Sequence, residues 1–313
     1  MHRSHPRLRL GITGPLVIAG LTASVLVAAC GDASGPAPSD DGTLRVVATT
    51  TVFADLVRQV GGEAVTVTSL VPKGGVVETF DPTPSDLRAV ADADLIVMNG
   101  LGLDAWLAPV LQDSGTAATT IVLAEDLKDV EYQAGEAADE ARNPHLWMNV
   151  RYAMKYVERI VEGLATAGPA DATRFRAGGA AYLERLDALD VEIRNRMAKI
   201  PEDDRLIVSF HEAFPYFAAA YGLTIVGTIV DAPGQDPSAG EIAALVDAIE
   251  ASGAKAVFGE VQFSPDLVQT VADEAGVVVV TDLYNDSLGD PPVDTYEGMI
   301  RWDVDRVVEA LGG

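Results

Sequence analysis

The sequence predicts an α/β protein with two units, each a parallel β-sheet covered by helices on both faces. Apolar runs of strand length alternate with helical runs, the alternation occurs twice, and two longer helical stretches separate the two occurrences. Strands of a parallel sheet are buried on both faces, so they are apolar throughout. A chain of 313 residues is long enough for two such units.

The first unit contains four strand-like runs joined by helical ones. The strands are predicted at 44–50, 64–71, 95–100 and 119–123. Helical runs at 51–60 and 84–91 connect the first three strands, and another short helix follows the third. With the helical stretch that comes next, we expect an N-terminal lobe over residues 44–165.

Two helical stretches, 149–165 and 170–199, follow the first unit. Apolar side chains recur at helical spacing in the second stretch and predict a buried face: Tyr182, Leu183, Leu186, Leu189, Ile193 and Met197. About thirty helical residues span about 45 Å, enough to run along both units. We expect a linking helix within residues 166–203.

The second unit repeats the strand and helix alternation. Its strands are predicted at 205–210, 223–230, 254–260 and 277–282, with helices at 213–221, 239–252 and 264–275. We expect a C-terminal lobe over residues 204–313.

The N-terminus has the features of a secretory signal. Three arginines precede an apolar run that ends in Val27-Ala28-Ala29-Cys30, which predicts a signal peptide over residues 1–29. The same four residues are typical of a lipoprotein signal, in which Cys30 carries the lipid. The alternative is an uncleaved anchor, but the apolar run is shorter than the about 20 residues that a membrane span requires.

Cys30 is the only cysteine, so a disulfide framework and a thiolate metal site are excluded. The residues that follow it are rich in Gly, Pro, Ser and Asp, which predicts a flexible tether over residues 30–43. We therefore expect an extracytoplasmic protein that is lipid-anchored to the cell membrane.

The chain is strongly acidic once the signal is removed. Without residues 1–29 it keeps 19 basic and 47 acidic residues, a formal charge of −28. Such a surface repels nucleic acid and anionic lipid, so a nucleic-acid partner is not expected.

Only two histidines lie outside the signal. His145 lies in NPHLW, on a loop at the start of a helix, and His211 directly follows an apolar strand. The carboxyl ends of parallel strands are where open α/β sheets bind their ligands. Because imidazole is the commonest neutral metal ligand, both histidines are candidates for a metal site.

Carboxylates on comparable loops complete the candidate set. Glu78 follows the strand at 64–71 on a glycine-rich loop, and Asp286 lies in a turn after the strand at 277–282. With the histidines they give two ligands from each half of the chain. Three further carboxylates compete for these places, and spacing alone does not choose among them: Asp81, Glu212 and Asp282.

Several motifs in chain order resemble a known family. They are PKGGVVETFDPTPSD, ADLIVMNGLGLDAWL, NPHLWMN, VSFHEAFPYFAAAYGL and NDSLGDPPVDTYEGM. The resemblance covers nearly all of residues 44–313. It is to the solute-binding proteins of bacterial ABC importers for zinc, manganese and iron, also described as metal-binding adhesin lipoproteins.

The resemblance implies two Rossmann-like βα lobes joined by a long rigid helix, with one divalent metal ion between them. It implies a monomer with no enzymatic activity, which hands the ion to an ABC permease and its ATPase. The metal ligands that it implies are Glu78, His145, His211 and Asp286, whereas Asp282 falls beside the site. Family members usually have His where this chain has Glu78.

Glu78 bears on the choice of metal. Two imidazoles and two carboxylates offer up to six contacts, which favours Mn(II) or Fe(II) over Zn(II). The alternative is a zinc carrier in which Glu78 is not a ligand, since zinc also binds His and carboxylate well. We expect protonation of the histidines below about pH 6 to weaken binding.

Two other functions compete with metal capture. A metal-dependent hydrolase needs an open metal position and an acid or base such as Glu212, but the sequence has no nucleophile elbow, P-loop or dinucleotide fingerprint. Surface adhesion is expected only as a side activity. Trp106, Trp147 and Trp302 are isolated in the sequence and are predicted to be core residues.

Overall fold

The computed structural model describes residues 42–135 and 142–312, which form two four-stranded parallel sheets. The strands of the first sheet are β1 Leu44–Ala48, β2 Val65–Ser69, β3 Leu95–Met98 and β4 Thr119–Val122. The strands of the second sheet are β5 Leu206–Ser209, β6 Thr224–Thr228, β7 Ala256–Glu260 and β8 Val278–Leu283.

Four helices accompany the first sheet: α1 Thr51–Gly61, α2 Pro84–Ala91, α3 Leu107–Ser114 and α4 Val150–Ala167. The long helix α5 Ala172–Met197 follows. Four helices accompany the second sheet: α6 Pro215–Tyr221, α7 Ala239–Ser252, α8 Pro265–Ala275 and α9 Tyr296–Leu311. We call β1 to α4 the first lobe and β5 to α9 the second lobe. The predicted α/β class with two parallel sheets is confirmed.

The two sheets have the same strand order. It is β2-β1-β3-β4 in the first sheet and β6-β5-β7-β8 in the second, with every neighbouring pair parallel. The chain therefore reverses direction across the sheet between β1 and β3, and again between β5 and β7. Loops part at such a reversal and leave a crevice at the carboxyl ends of the strands.

Alternate residues of the central strands enter different cores. In β1, Val46 and Ala48 face a central core that the two sheets share, whereas Val47 faces an outer core under α2 and α3. In β5, Ile207 faces the central core and Val208 faces a second outer core with α7 and α8. Burial on both faces explains why these strands are apolar at every position.

Helix α5 packs along both lobes. It contacts α1 and α4 of the first lobe and α6 and α9 of the second. Five residues of its predicted apolar stripe are buried and Leu183 is half-buried. The close approach to α1 requires glycine at position 178, where a Cβ atom would lie 2.3 Å from the Val60 carbonyl oxygen.

Helix α9 was not predicted from the sequence. Thr295 caps its N-terminus by accepting a hydrogen bond from the Gly298 N–H. Its buried face consists of Tyr296, Met299, Ile300, Asp303, Val304, Val307 and Leu311. These positions have helical spacing, so the signal was present, but the buried Asp303 interrupts the apolar pattern.

The signal peptide at 1–29, Cys30 and most of the tether lie outside the described residues. Among residues 42–135 and 142–312, every helix is too short or too polar to cross a membrane.

Candidate metal centre

Four loops carry the candidate ligands into one crevice between the lobes. Glu78 lies on the loop between β2 and α2, and His145 immediately precedes a 3₁₀ turn, Leu146–Met148, that leads into α4. In the second lobe, His211 lies two residues after β5 and Asp286 three residues after β8. The structure thus brings all four of these side chains together.

Their ligand atoms lie within 4.8 Å of one another. The two Nε2 atoms of His145 and His211 are 3.4 Å apart. Glu78 Oε1 is 3.8 Å from His145 Nε2 and 3.9 Å from His211 Nε2. Asp286 Oδ1 is 3.6 Å from His145 Nε2. Four ligands at about 2.0–2.2 Å from one ion are separated by about 3.3–3.6 Å in a regular tetrahedron. The spacings given above equal this range or exceed it by a few tenths of an ångström, so the four atoms are close enough to share a single small cation.

The cluster is shielded from water and its carboxylates are unsatisfied. The Asp286 side chain is fully buried, and Glu78, the most accessible of the four, exposes 18% of its side chain. Within the described part of the chain, both oxygens of Glu78 and Oδ1 of Asp286 are buried without a hydrogen-bond partner. Buried carboxylate oxygens of this kind are costly unless a cation compensates them.

Asn143 orients the imidazole of His145. The Asn143 side-chain N–H donates to the Glu212 carbonyl oxygen over 2.6 Å, which leaves its Oδ1 as an acceptor. That oxygen accepts the His145 backbone N–H at 3.0 Å and lies 3.2 Å from Nδ1 of the ring. A proton on Nδ1 satisfies this contact and leaves the Nε2 lone pair facing the cluster.

The pKa values of the two histidines are shifted in opposite directions. Burial lowers the pKa of His145 to about 4, against the opposing influence of Glu78. Burial also disfavours the charged form of His211, but the Glu260 carboxylate outweighs it, together with Asp286 and Glu78, and raises the pKa of that ring to about 9. His145 is therefore neutral at pH 7, whereas the metal-free His211 holds a proton.

The pKa values of the two carboxylates, Glu78 and Asp286, are also shifted in opposite directions. Burial opposes ionisation of Glu78, but the neighbouring His145 and His211 rings outweigh it and lower its pKa. Burial and the nearby negative charge of Glu78 raise the pKa of Asp286 well above its usual value. A divalent cation at this place favours the ionised form of both carboxylates.

The competing carboxylates lie outside the cluster. Asp81 is exposed on the same loop as Glu78. Glu212 directs its carboxylate toward the Asn143 amide at 3.3 Å. Asp282 pairs with Arg306 at 3.4 Å and is not among the clustered side chains.

Three polar residues that contact the cluster were missed by the sequence analysis: Asn143, Glu260 and Gln262. Glu260 is the last residue of β7 and Gln262 follows two places later, so both lie at the carboxyl end of a parallel strand. That position was the available signal. Glu260 and Gln262 lie far from both histidines in the sequence, so the spacing of residues does not link them to the cluster.

The comparison with protein families agrees with this geometry. A profile of the family described as "Zinc-uptake complex component A periplasmic" (ZnuA) matches residues 46–310. The matched range includes the second sheet, all but the first two residues of the first sheet, and all four clustered side chains. The chain belongs to the ZnuA family.

Relatives of this ZnuA-family chain carry names that refer to metals. "Manganese-binding lipoprotein MntA" of Halalkalibacterium halodurans is 31% identical over 291 residues, covering 92% of this chain and 95% of the relative. "Iron ABC transporter substrate-binding lipoprotein MtsA" of Streptococcus pyogenes serotype M1 is 25% identical over 303 residues, covering 95% and 97%. The resemblance found in the sequence motifs is confirmed.

Two solved structures share the fold of this ZnuA-family chain. The "periplasmic zinc binding protein TroA" of Treponema pallidum aligns with a TM-score of 0.80 and 26% identity, over 86% of this chain and 99% of TroA. A Mn-bound periplasmic metal-binding protein of Candidatus Liberibacter asiaticus aligns with a TM-score of 0.77 at 24% identity, over 86% and 100%. The second likeness bears on the fold alone.

Proposed function

We propose that this chain captures one divalent transition-metal ion outside the cytoplasm and delivers it to the permease of an ABC importer. Glu78, His145, His211 and Asp286 are the ligands in this proposal. The observation that carries it is the convergence of four ligand atoms, from four separate loops, in a buried crevice between the lobes. The names of MntA and MtsA support the same role.

The ligand set favours Mn(II) or Fe(II) as cargo. Two carboxylates provide up to four oxygens, and harder ions with higher coordination numbers use them better than a closed tetrahedral zinc site does. The unpartnered oxygens of Glu78 support its place among the ligands. Zinc capture by His145, His211 and Asp286 alone is the second candidate, favoured by the 3.4 Å separation of the two imidazole nitrogens.

The remaining parts of the proposal concern anchoring and partners. Cys30 carries the lipid that holds the chain at the membrane, a tether over 30–43 follows, and the lobes at 44–165 and 204–313 are joined through the linking helix within 166–203. The carrier acts as a monomer and docks on a permease driven by its ATPase. In this proposal it performs no catalysis.

Metal content and competitive titration with Mn(II), Fe(II) and Zn(II) test the proposal on the purified protein. We expect one ion per chain. Replacing Glu78 by Ala should weaken Mn(II) binding by more than about 100-fold, because residues that only orient a ligand are already worth about 10–100-fold. Replacing Glu78 by His should shift the preference toward Zn(II).

Asp81→Ala is the matched control, since Asp81 is an exposed carboxylate three residues along the same loop. It should bind like the parent. If Glu78→Ala binds as tightly as the parent, the site consists of His145, His211 and Asp286, and the preference for manganese or iron is wrong.

A further inference from the structure

Glu260 and His211 lie side by side because of the strand register. Strands β5 and β7 are neighbours in the second sheet, with Ser209 opposite Phe258. Two residues further along each chain are His211 and Glu260. Side chains two places apart on a strand point to the same face, so Glu260, the last residue of β7, meets His211, which lies two residues after β5, at the carboxyl edge of the sheet. Glu260 Oε2 lies 2.8 Å from Nδ1 of His211.

Only one of the two oxygens of the Glu260 carboxylate has a hydrogen-bond partner in the described part of the chain. The Glu260 side chain is fully buried, and His211 exposes 2% of its own. The second oxygen, Oε1, has no hydrogen-bond partner among residues 42–135 and 142–312. A buried carboxylate with an unmet oxygen contributes little to holding a fold together. Its contact with His211 is therefore the feature that needs an explanation.

We propose that Glu260 is a positioning residue for metal capture, which accepts the Nδ1–H of His211 and holds the Nε2 lone pair toward Glu78, His145 and Asp286. The inference rests on the proposed function, because it requires His211 to be a metal ligand. A carboxylate acceptor on the far nitrogen fixes both the tautomer and the ring orientation, and it strengthens the near nitrogen as a donor.

The two histidines differ in the group that faces Nδ1 of the ring. Nδ1 of His145 faces the neutral amide oxygen of Asn143 at 3.2 Å, whereas Nδ1 of His211 faces a carboxylate at 2.8 Å. Hydrogen bonds to ionised acceptors are shorter and stronger. His211 is therefore the stronger nitrogen donor of the pair. Ions that prefer nitrogen, such as Co(II) and Zn(II), benefit more from Glu260 than Mn(II) does.

Phe263 limits the freedom of the His211 ring from another side. The two rings are 5.4 Å apart between centroids in an edge-to-face arrangement, and Phe263 in turn stacks on Phe210 at 4.4 Å. Packing restrains the ring plane, but it does not decide which nitrogen carries the proton. Glu260 determines the position of the proton, because its carboxylate accepts a hydrogen bond from Nδ1–H.

Co(II) titration followed by its visible absorption tests the proposal with two variants of Glu260. Glu260→Gln keeps an acceptor oxygen of the same size, and Glu260→Leu removes it. We expect Co(II) affinity to fall about tenfold in Glu260→Gln and about 100-fold in Glu260→Leu, the range known for partners that orient a metal ligand. Mn(II) affinity should fall less than Co(II) affinity in both variants.

Asp303→Asn is the matched control for Glu260→Gln. Asp303 is another fully buried carboxylate of the second lobe, and it accepts the Tyr284 backbone N–H at 2.9 Å. Its replacement should leave the ratio of Co(II) to Mn(II) affinity as in the parent. Proton NMR of the Zn(II)-loaded protein adds a second readout, since the Nδ1–H signal of His211 should persist in Glu260→Gln and disappear in Glu260→Leu.

Unchanged Co(II) affinity in both Glu260 variants overturns the inference, as does an equal change in the metal ratio in Asp303→Asn. If Glu260→Leu does not fold, the comparison of Glu260→Gln with Asp303→Asn decides. A parent protein that binds neither Mn(II), Zn(II) nor Co(II) refutes the proposed function itself, whereas Co(II) affinity unchanged by His211→Ala refutes the place of His211 among the ligands.

Discussion

The indole N–H of Trp147 donates a hydrogen bond to the carbonyl oxygen of Asn285 over 2.9 Å. The bond crosses between the lobes and is fully buried. Trp147 lies two residues after His145, and Asn285 immediately precedes Asp286. A single contact therefore couples the backbone positions of one candidate ligand from each lobe.

Other contacts fasten the Asp286 loop to the first lobe as well. The backbone N–H of Leu288 donates to Thr51 Oγ1 at 2.8 Å, and the Ser287 hydroxyl accepts the Gly74 N–H at 2.7 Å. Asp286 belongs to the second lobe in the sequence, but its loop is hydrogen-bonded to the first lobe. If the lobes move apart, we expect His211 to separate first from the other three ligands. Asp286 should stay close to Glu78 and His145 for longer.

Replacing Trp147 by Phe should lower both stability and metal affinity. The change leaves the buried Asn285 carbonyl without a donor and removes part of the ring, which costs about 2–3 kcal/mol in the free energy of unfolding. Because Asp286 is then held less firmly, the Kd for Mn(II) should rise about tenfold, at the lower end of the effect of ligand-orienting contacts. Urea unfolding and metal titration measure the two effects.

Trp302→Phe is the control for this prediction. Its indole N–H donates to the Asp282 carbonyl oxygen at 2.8 Å, and Asp282 lies outside the cluster. The control should lose stability without losing metal affinity. Equal losses of affinity in both variants would contradict the role assigned to Trp147.

Metal affinity should rise with pH up to about pH 9. Metal-free His211, with a pKa of about 9, holds a proton at pH 7 that an incoming ion must displace. Protons compete with the ion, so affinity falls as pH falls, by about tenfold per pH unit for each proton displaced. His145, with a pKa of about 4, adds no such dependence above about pH 5.

Competition titrations with Zn(II) between pH 6 and pH 8.5 measure this slope, and calorimetry in two buffers counts the protons released. Replacing His211 by Gln should weaken binding and flatten the slope. Equal affinity at pH 6 and pH 8 would show that His211 is already neutral in the metal-free protein. The sequence alone predicts that binding weakens below about pH 6. The structure predicts weakening at a higher pH, because Glu260 raises the pKa of His211.

The contrast between His211 and Glu260 shows what could be predicted from the sequence. His211 was identifiable because a histidine directly after an apolar strand lies at the carboxyl edge of a parallel sheet. Glu260 also ends a predicted strand, but its partner depends on β7 lying next to β5. Strand order and register are set by tertiary packing, which a single sequence does not reveal. The same limit applies to Gly178, whose need for a close helix contact is visible only once α5 lies against α1.

Asp190 joins the linking helix to both lobes. Its carboxylate is fully buried and accepts hydrogen bonds from Arg151 Nε of α4 at 2.8 Å, from Arg194 Nε of α5 at 2.9 Å and from the Tyr221 hydroxyl of α6 at 3.2 Å. Burial alone raises the pKa of Asp190, but Arg194 and Arg151 outweigh it and lower the pKa. The ionised carboxylate therefore stabilises the fold above its usual pKa, and this contribution is lost as pH falls through the lowered value.

Replacing Asp190 by Ala should lower the free energy of unfolding by about 2–3 kcal/mol at pH 7. Breaking a fully buried ion pair costs about 3–5 kcal/mol, and the loss is smaller here because both guanidinium groups are nearly half exposed and regain water. Asp187→Ala is the control, since Asp187 pairs with the same Arg151 but is itself 57% exposed. It should cost less than about 1 kcal/mol. Urea unfolding at pH 7 and again at about pH 3, below the usual pKa of aspartate, tests this explanation, because the contribution is lost only as pH falls through the lowered pKa of Asp190. The difference between Asp190→Ala and the parent should shrink at the lower pH. A constant difference would mean that packing, not the carboxylate charge, holds α5 in place.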